Sequence, residues 1–381
     1  MAAGEDALAP IPAVSALAWM WTIILNNYPK LQAAIAKDPE IDLTVKLPLR
    51  YSDRLDYMRQ KTQPDNATVT EDHGEDDIRA SIRSSASAEI VFPLSDTVQN
   101  LLGISSSAAA QSDGLAQRLI DVIDSSEVVW KGPFARQKMV LGCGHDIILK
   151  VVRGLDDTTE YTTLQYLHQY KPDMAAPKPL GFIRMNDISL IFMTHLHSST
   201  LAKVWPSLSA AQKVLIKEQL TLILNDLSLP YDVGTAFGVL GEGCKDIRRH
   251  LRRSAKPILT VDEFEDFLFT SDRTGGEVFV DLLRQLSPST KSPSPAIVFT
   301  HGDLRPENIV VKFENNEWII SGLIDWEYSG FYPEYYEAIR CTNCMAPYEE
   351  NDWYLFIPDC VSPRRYTLWW LLDGTREVRA V

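Results

Sequence analysis

Two short segments carry the residue types best suited to chemistry: His301-Gly302-Asp303-Leu304-Arg305-Pro306-Glu307-Asn308 and, downstream, Ile324-Asp325-Trp326-Glu327. Phosphoryl transfer asks little covalent help of a protein. It needs a carboxylate that orients the attacking hydroxyl and oxygen ligands that hold magnesium against the phosphates. Asp303 followed five positions later by Asn308 puts both side chains in one loop, and Asp325 at the end of a later strand can complete a metal site. Magnesium prefers one or two carboxylates, with phosphate and water filling its remaining positions. This set supplies them.

The elements that must position these residues can be read from periodicity and turn signals. Strand-like runs lie at 128–130, 137–141 and 147–152, punctuated by Gly132-Pro133 and Gly142-Cys143-Gly144. A helix is predicted over about 158–169, then a proline-rich connection through Pro172, Pro177 and Pro179, then a strand at 188–193. Residues 209–286 read as mainly helical, with Leu215, Ile216, Leu220, Ile223 and Leu224 as an apolar stripe. Strands return at 297–300, 309–313 and 318–324, with helices to the end. The simplest architecture is an α+β chain with a small sheet-rich lobe followed by a larger, mainly helical one. Residues 1–125 differ in texture: an apolar helix is expected from about 13 to 27, a flexible acidic linker over about 60–87, and a short helix around Leu115, Leu119, Ile120 and Ile123.

HGDLRPENIVV followed by GLIDWEYSGFYPEYYE resembles the aminoglycoside phosphotransferase family, in particular fungal proteins with this domain. The resemblance covers roughly Glu127 to the C-terminus and implies a two-lobed protein-kinase-like fold, with residues 1–125 as an N-terminal extension, 126–196 as the small lobe and hinge, and 197–381 as the large lobe. It also implies roles. Asp303 is the catalytic base or hydroxyl-aligning acceptor, Asn308 and Asp325 ligate Mg2+, and His301 braces the loop. Arg305 sits where protein kinases place a phosphate-contacting lysine, a task that suits a guanidinium. Pro306 and Glu307 shape the loop, and Glu327 has two readings, an indirect metal contact or a structural acid. Ile147-Ile148-Leu149-Lys150-Val151-Val152 matches the strand whose lysine meets the nucleotide phosphates, and Glu160 is placed to pair with it. A lysine inside an apolar strand needs such a partner. Met193-Thr194-His195-Leu196 resembles the hinge whose backbone binds the purine of ATP or GTP. One feature departs from the pattern: between the first strands stands only Lys131-Gly132-Pro133-Phe134-Ala135, with a single glycine and a proline that has no N–H to offer phosphate.

A protein kinase is the nearest rival. His-Gly-Asp lacks the arginine that reads activation-loop phosphate, Asp325-Trp326-Glu327 replaces Asp-Phe-Gly, and no Ala-Pro-Glu follows. A small hydroxyl-bearing acceptor is therefore expected.

Composition narrows the remaining classes. The 381 residues are 45% apolar and carry a formal charge of -14, which speaks against a nucleic-acid binder. Five cysteines without framework spacing fit a reduced, cytoplasmic setting. The apolar run from Ile11 to Leu25 is too short to span a bilayer and is preceded by Glu5 and Asp6 rather than by basic residues. Lys245, Arg248, Arg249, Arg252, Arg253 and Lys256 recur at helical spacing and read as a solvated basic face, with an acidic partner or a membrane surface as the alternative. Cys341 and Cys344 lack a second pair for zinc, and His195 with His197 has no further ligand nearby in sequence. Glu334, Glu337, Glu349, Glu350 and Asp352 follow the metal motif, where they either line a site for a cationic acceptor or are ordinary surface acids. The combined expectation is a magnesium-dependent small-molecule kinase. A catalytically silent nucleotide-binding or scaffold module is the alternative raised by the Gly132 loop and the long extension.

Overall fold

The computed structural model describes residues 34, 37, 78–83, 87–104, 114–132, 137–154, 157–227, 235–238, 243–247, 251–269, 277–287, 294–343, 345 and 349–379. The chain divides into two compact units, residues 1–73, 346–350 and 381 in one and 74–345 and 351–380 in the other. All elements named below lie in the second. The expected helix at 13–27 falls outside the described residues, as do 60–77 of the expected linker.

Helix α1 (Ile78–Arg83) corrects the C-terminal part of that linker: Ile78 and Ile82 are fully buried, one turn apart on one face. Strand β1 (Glu89–Phe92), α2 (Asp96–Leu101) and α3 (Leu115–Ser125) follow. Then come β2 (Glu127–Lys131), β3 (Lys138–Cys143), β4 (Ile147–Arg153), α4 (Thr159–Tyr170), β5 (Pro179–Met185) and β6 (Ile188–Thr194). The strands form one antiparallel sheet in the order β1-β5-β6-β4-β3-β2. It thus begins at Glu89, ahead of the small-lobe boundary expected at 126. Strand β5 occupies part of what reads as a proline-rich connection, because proline is tolerated as the first residue of a strand.

Alternation gives the sheet two buried faces. Met139, Leu141, Leu149, Val151, Leu190 and Phe192 point to one side and pack on Ile78, Ile82, Val98, Leu119 and Ile123 of the three preceding helices. Burying such a side chain contributes about 1.5–3 kcal/mol, which explains why residues upstream of 126 hold to the sheet. Phe182, Ile191 and Met193 point the other way, onto Tyr161, Leu164 and Leu167 of α4. Lys150, lying between Leu149 and Val151, faces this α4 side.

The larger region opens with β7 (Ser199–Thr200), α5 (Leu201–Val204) and α6 (Ala210–Asp226). Ser209 caps α6 reciprocally with Gln212, at 3.3 Å to its N–H and 2.9 Å from the Ser209 N–H to Oε1. The expected basic helical face is instead a hairpin, β8 (Lys245–Ile247) with β9 (Leu251–Arg253). Its cations are paired internally, Arg252 to Asp246 at 2.5 Å and Arg253 to Asp157 at 2.7 Å; Arg248 and Arg249 lie outside the described residues. Helices α7 (Val261–Phe269) and α8 (Glu277–Leu286) precede β10 (Ile297–Thr300), β11 (Ile309–Glu314), β12 (Glu317–Leu323) and β13 (Gly330–Pro333). Helices α9 (Tyr336–Arg340) and α10 (Thr367–Arg379) end the chain. No helix among the described residues is long and apolar enough to cross a membrane.

Candidate active site

The site is set by one hairpin. Asn315 and Asn316 both adopt positive φ, 50° and 67°, the two-residue turn that matches the twist of paired strands. Pairing runs from Glu314↔Glu317 to Ile309↔Leu323, with a one-residue irregularity between Val310 and Val311. The open end of the hairpin therefore places Asn308 beside Ile324, and the Ile324 N–H donates to the Asn308 carbonyl at 2.9 Å. Residues 308 and 325, 17 apart in sequence, meet for this reason.

The 301–308 loop is fastened to that end. The His301 Nε2–H donates to the Ile324 carbonyl at 3.1 Å, while its Nδ1 accepts the Asp303 N–H at 3.2 Å. Only a neutral imidazole can do both, and burial holds the His301 pKa down at about 4. Gly302 has φ +80°, and a Cβ there would lie 2.2 Å from the Tyr328 carbonyl oxygen. Gly302→Ala is accordingly expected to cost at least about 1–3 kcal/mol of stability, read as a lower urea midpoint; an unchanged midpoint would show the loop to be looser than described.

Asp303 accepts from the Asn308 Nδ2 at 2.8 Å, and the same amide also donates to the Asp303 carbonyl at 2.9 Å. With its N–H groups committed, Asn308 has its side-chain oxygen left as the atom that could hold a cation. The Arg305 Nε lies 3.3 Å from Asp303 Oδ2. Burial raises the Asp303 pKa above the usual 3.8, assisted by Asp325 and opposed by Arg305, Arg340 and the Asn308 hydrogen bond.

Lys150 contacts Glu160 at 2.5 Å, Glu327 at 3.2 Å, and Asp325. Lys138 contacts Glu327 at 2.7 Å and Asp325 at 3.4 Å. Burial works against the Lys150 charge, yet Asp325, Glu160 and Glu327 outweigh it and hold its pKa well above 10.5. Burial likewise works against the Asp325 carboxylate, but Lys150 and Lys138 keep it ionised far below the ordinary range. Asp325 itself sits at φ 67°, a conformation that non-glycine residues rarely hold without support. The support is visible: the Trp326 Nε1–H donates to the Leu323 carbonyl at 2.9 Å, and Ser329 joins Thr163 of α4 at 2.8 Å. One oxygen from each of Glu160, Asp325 and Glu327 lies within 4.8 Å of the others. An all-oxygen, acid-rich donor set of this kind fits magnesium.

Sequence reasoning missed one member of this assembly, Lys138, and placed others differently. Lys245, expected on a solvated basic face, is instead buried, and its Nζ reaches both Asp157 oxygens at 2.8 Å, the Glu327 carbonyl at 3.1 Å, and Thr159 Oγ1. Glu337 sits under the loop rather than in an acceptor lining. Its Oε2 accepts the His301 and Gly302 N–H groups at 2.7 and 3.1 Å, and Arg340 Nε donates to the Gly302 carbonyl at 3.1 Å. Glu334 is paired with Arg365 at 3.2 Å and Tyr366 at 2.9 Å, and Asp352 with Lys213 at 2.7 Å and Trp205 at 2.8 Å. These three acids are spent on internal partners.

Burial pushes the Glu337 pKa up to about 7, against the lowering effect of the two N–H donors. A raised folded-state value means that the native protein holds a proton which the unfolded chain has released. That contribution to stability is complete below 4.5 and lost as pH rises through about 7. Relative to wild type, Glu337→Gln should therefore gain on the order of 1–3 kcal/mol in unfolding free energy between pH 5 and 8. A pH-independent difference between the two proteins would contradict this.

At the expected hinge, Met193 and Thr194 end β6 opposite Ile148 and Ile147. The Thr194 N–H donates to the Lys178 carbonyl at 3.0 Å and the His195 N–H to the Asp146 carbonyl at 2.8 Å. Leu196 packs over Gly322. Of the Gly132 loop, residues 133–136 lie outside the described residues.

The family model for the phosphotransferase enzyme family matches residues 146–365, more than half of the chain. No curated protein matches. Among solved structures, a thermostable mutant of aminoglycoside phosphotransferase APH(4)-Ia with ADP and hygromycin B is 15% identical, covering 69% of this chain and 85% of that one at a TM-score of 0.42. The streptomycin–ATP complex of APH(2")-IIa is 13% identical over 71% and 86% of the respective chains, with a TM-score of 0.42. An aminoglycoside-3'-phosphotransferase of type VIII is 16% identical over 67% and 98%, with a TM-score of 0.43.

Proposed function

Because the chain belongs to the phosphotransferase enzyme family, we propose that it moves the γ-phosphate of ATP or GTP to a hydroxyl of a small molecule, with Asp303 accepting or aligning the hydroxyl proton. The observation that carries this reading is the convergence of Asp303, Asn308 and Asp325 at the open end of one hairpin, with Lys150 bonded to Asp325. Asp303 is partly desolvated, and burial raises its pKa above the ordinary carboxylate value, the direction that favours a proton acceptor. Lys150 and Lys138 supply the positive charge that nucleotide phosphates need, and Arg305, beside Asp303, is placed to neutralise charge on the transferred group. Asn308 and Asp325, assisted by Glu327, would hold magnesium, whose chemistry is to neutralise charge on the phosphates. The Leu196 N–H, without a partner among the described residues, is the hinge group open to a purine.

With Glu334, Glu337 and Asp352 engaged internally, acceptors have to be sought among neutral sugars as well as amino alcohols and aminoglycosides. The test is incubation of the purified chain with γ-labelled nucleotide, magnesium and such a panel. Labelled, acceptor-dependent product is the expected result. Magnesium-dependent nucleotide binding without transfer to any acceptor would favour the catalytically silent module.

A further inference from the structure

The β3–β4 turn and the segment after β6 bring together side chains that lie about fifty residues apart. The His145 Nδ1 is 2.7 Å from Asp146 Oδ1, and the His197 Nε2 is 3.5 Å from the same oxygen. One ligand atom from each of the three residues lies within 4.8 Å of the others. The His197 ring is sandwiched, with centroids 4.1 Å from both His145 and His195. His195 and His197, read in sequence as a pair without further ligands, thus have two neighbours supplied by a different turn.

We propose that His145, Asp146 and His197 form a binding site for a divalent transition-metal ion of the zinc type, separate from the carboxylate site at Asp325. Two imidazoles and one carboxylate are a common three-ligand set for such ions, with water completing the shell. Imidazole selects zinc, cobalt or nickel over magnesium. Bonds of about 2.0–2.2 Å to a tetrahedral ion put ligand atoms roughly 3.4 Å apart, which these side chains reach by small rotations. They are free to rotate, at 81%, 83% and 42% exposure for His145, Asp146 and His197. Their backbones are not: the His195 N–H to Asp146 carbonyl bond of 2.8 Å and the adjacent Ile147↔Thr194 pair fix the two segments against each other. The fixed backbone lowers the ordering cost of binding, and the exposed side chains have only to adjust around the ion.

The test titrates the full chain, stripped with chelator, with Zn2+ in excess Mg2+ so that the carboxylate site is occupied, followed by calorimetry and thermal shift. One equivalent of Zn2+ should bind and raise the melting temperature. His145→Ala and His197→Ala should each weaken binding at least tenfold while melting like wild type in chelator, and His168→Ala, a histidine at the far end of α4, should not weaken it. Co2+ should give visible bands of nitrogen and oxygen ligation. No binding at 100 µM Zn2+, binding that survives the double alanine variant, or a thiolate charge-transfer band marking capture at the partly exposed Cys360 would each overturn the proposal.

Discussion

Asp303→Asn is expected to keep the fold and nucleotide affinity while lowering phosphate transfer by about 100-fold or more, the usual contribution of a positioned proton acceptor. The substitution is nearly isosteric, and an amide oxygen at this position can still accept the Asn308 hydrogen bond of 2.8 Å. The lost property is the negative charge that draws the acceptor proton. The effect should appear in kcat rather than in the KM for nucleotide, since the interaction grows in the transition state. In the wild type, transfer should fall on the acid side as Asp303 protonates, at a pH above the ordinary 3.8 because burial and Asp325 raise its pKa. Transfer by the asparagine variant at the wild-type rate would remove Asp303 from its assigned place.

Lys150→Met should be the most damaging single change to stability. Lys150 is 4% exposed and contacts Glu160, Asp325 and Glu327. Removing it leaves three clustered carboxylates, of which Asp325 and Glu327 keep Lys138 as a partner. Breaking a buried ion pair from one side costs about 3–5 kcal/mol, against total stabilities of about 5–15 kcal/mol. Magnesium should restore part of that loss in the variant and give the wild type a smaller gain, because the cation can take over the ammonium's charge. Urea unfolding with and without magnesium reads both effects. A variant as stable as wild type would show that the cluster is protonated or solvated instead of ion-paired.

What could be read from the sequence follows separation along the chain. Asp303 and Asn308 share a loop of a few residues, and a two-strand hairpin joins that loop to Asp325, so local spacing already held the geometry. The Lys150–Glu160 pair came from resemblance together with the awkwardness of a lysine in an apolar strand, and the two side chains do meet at 2.5 Å. Lys138 meets Glu327 across 189 positions and Lys245 meets Asp157 across 88; no periodicity encodes such contacts. The basic residues from Lys245 to Arg253 satisfy helical spacing and strand pairing equally well on paper, and pairing with Asp157 and Asp246 favours the hairpin. Glu337, which follows the metal motif, reads in sequence as either an acceptor-lining or a surface acid, whereas its burial beneath His301 and Gly302 depends on the turn into α9. His145 and Asp146 gave no signal beside His197, because only the β4–β6 register brings them together.

The central claim, that Asn308 and Asp325 grip a divalent cation against nucleotide beside Asp303, is tested most directly by Mn2+ electron paramagnetic resonance with a non-hydrolysable ATP analogue. Wild type and Asp303→Asn should show nucleotide-dependent bound Mn2+, while Asn308→Ala and Asp325→Asn should lose it at the same concentrations. Mn2+ retained by Asp325→Asn with wild-type affinity, or never bound by wild type in the presence of nucleotide, would contradict the account.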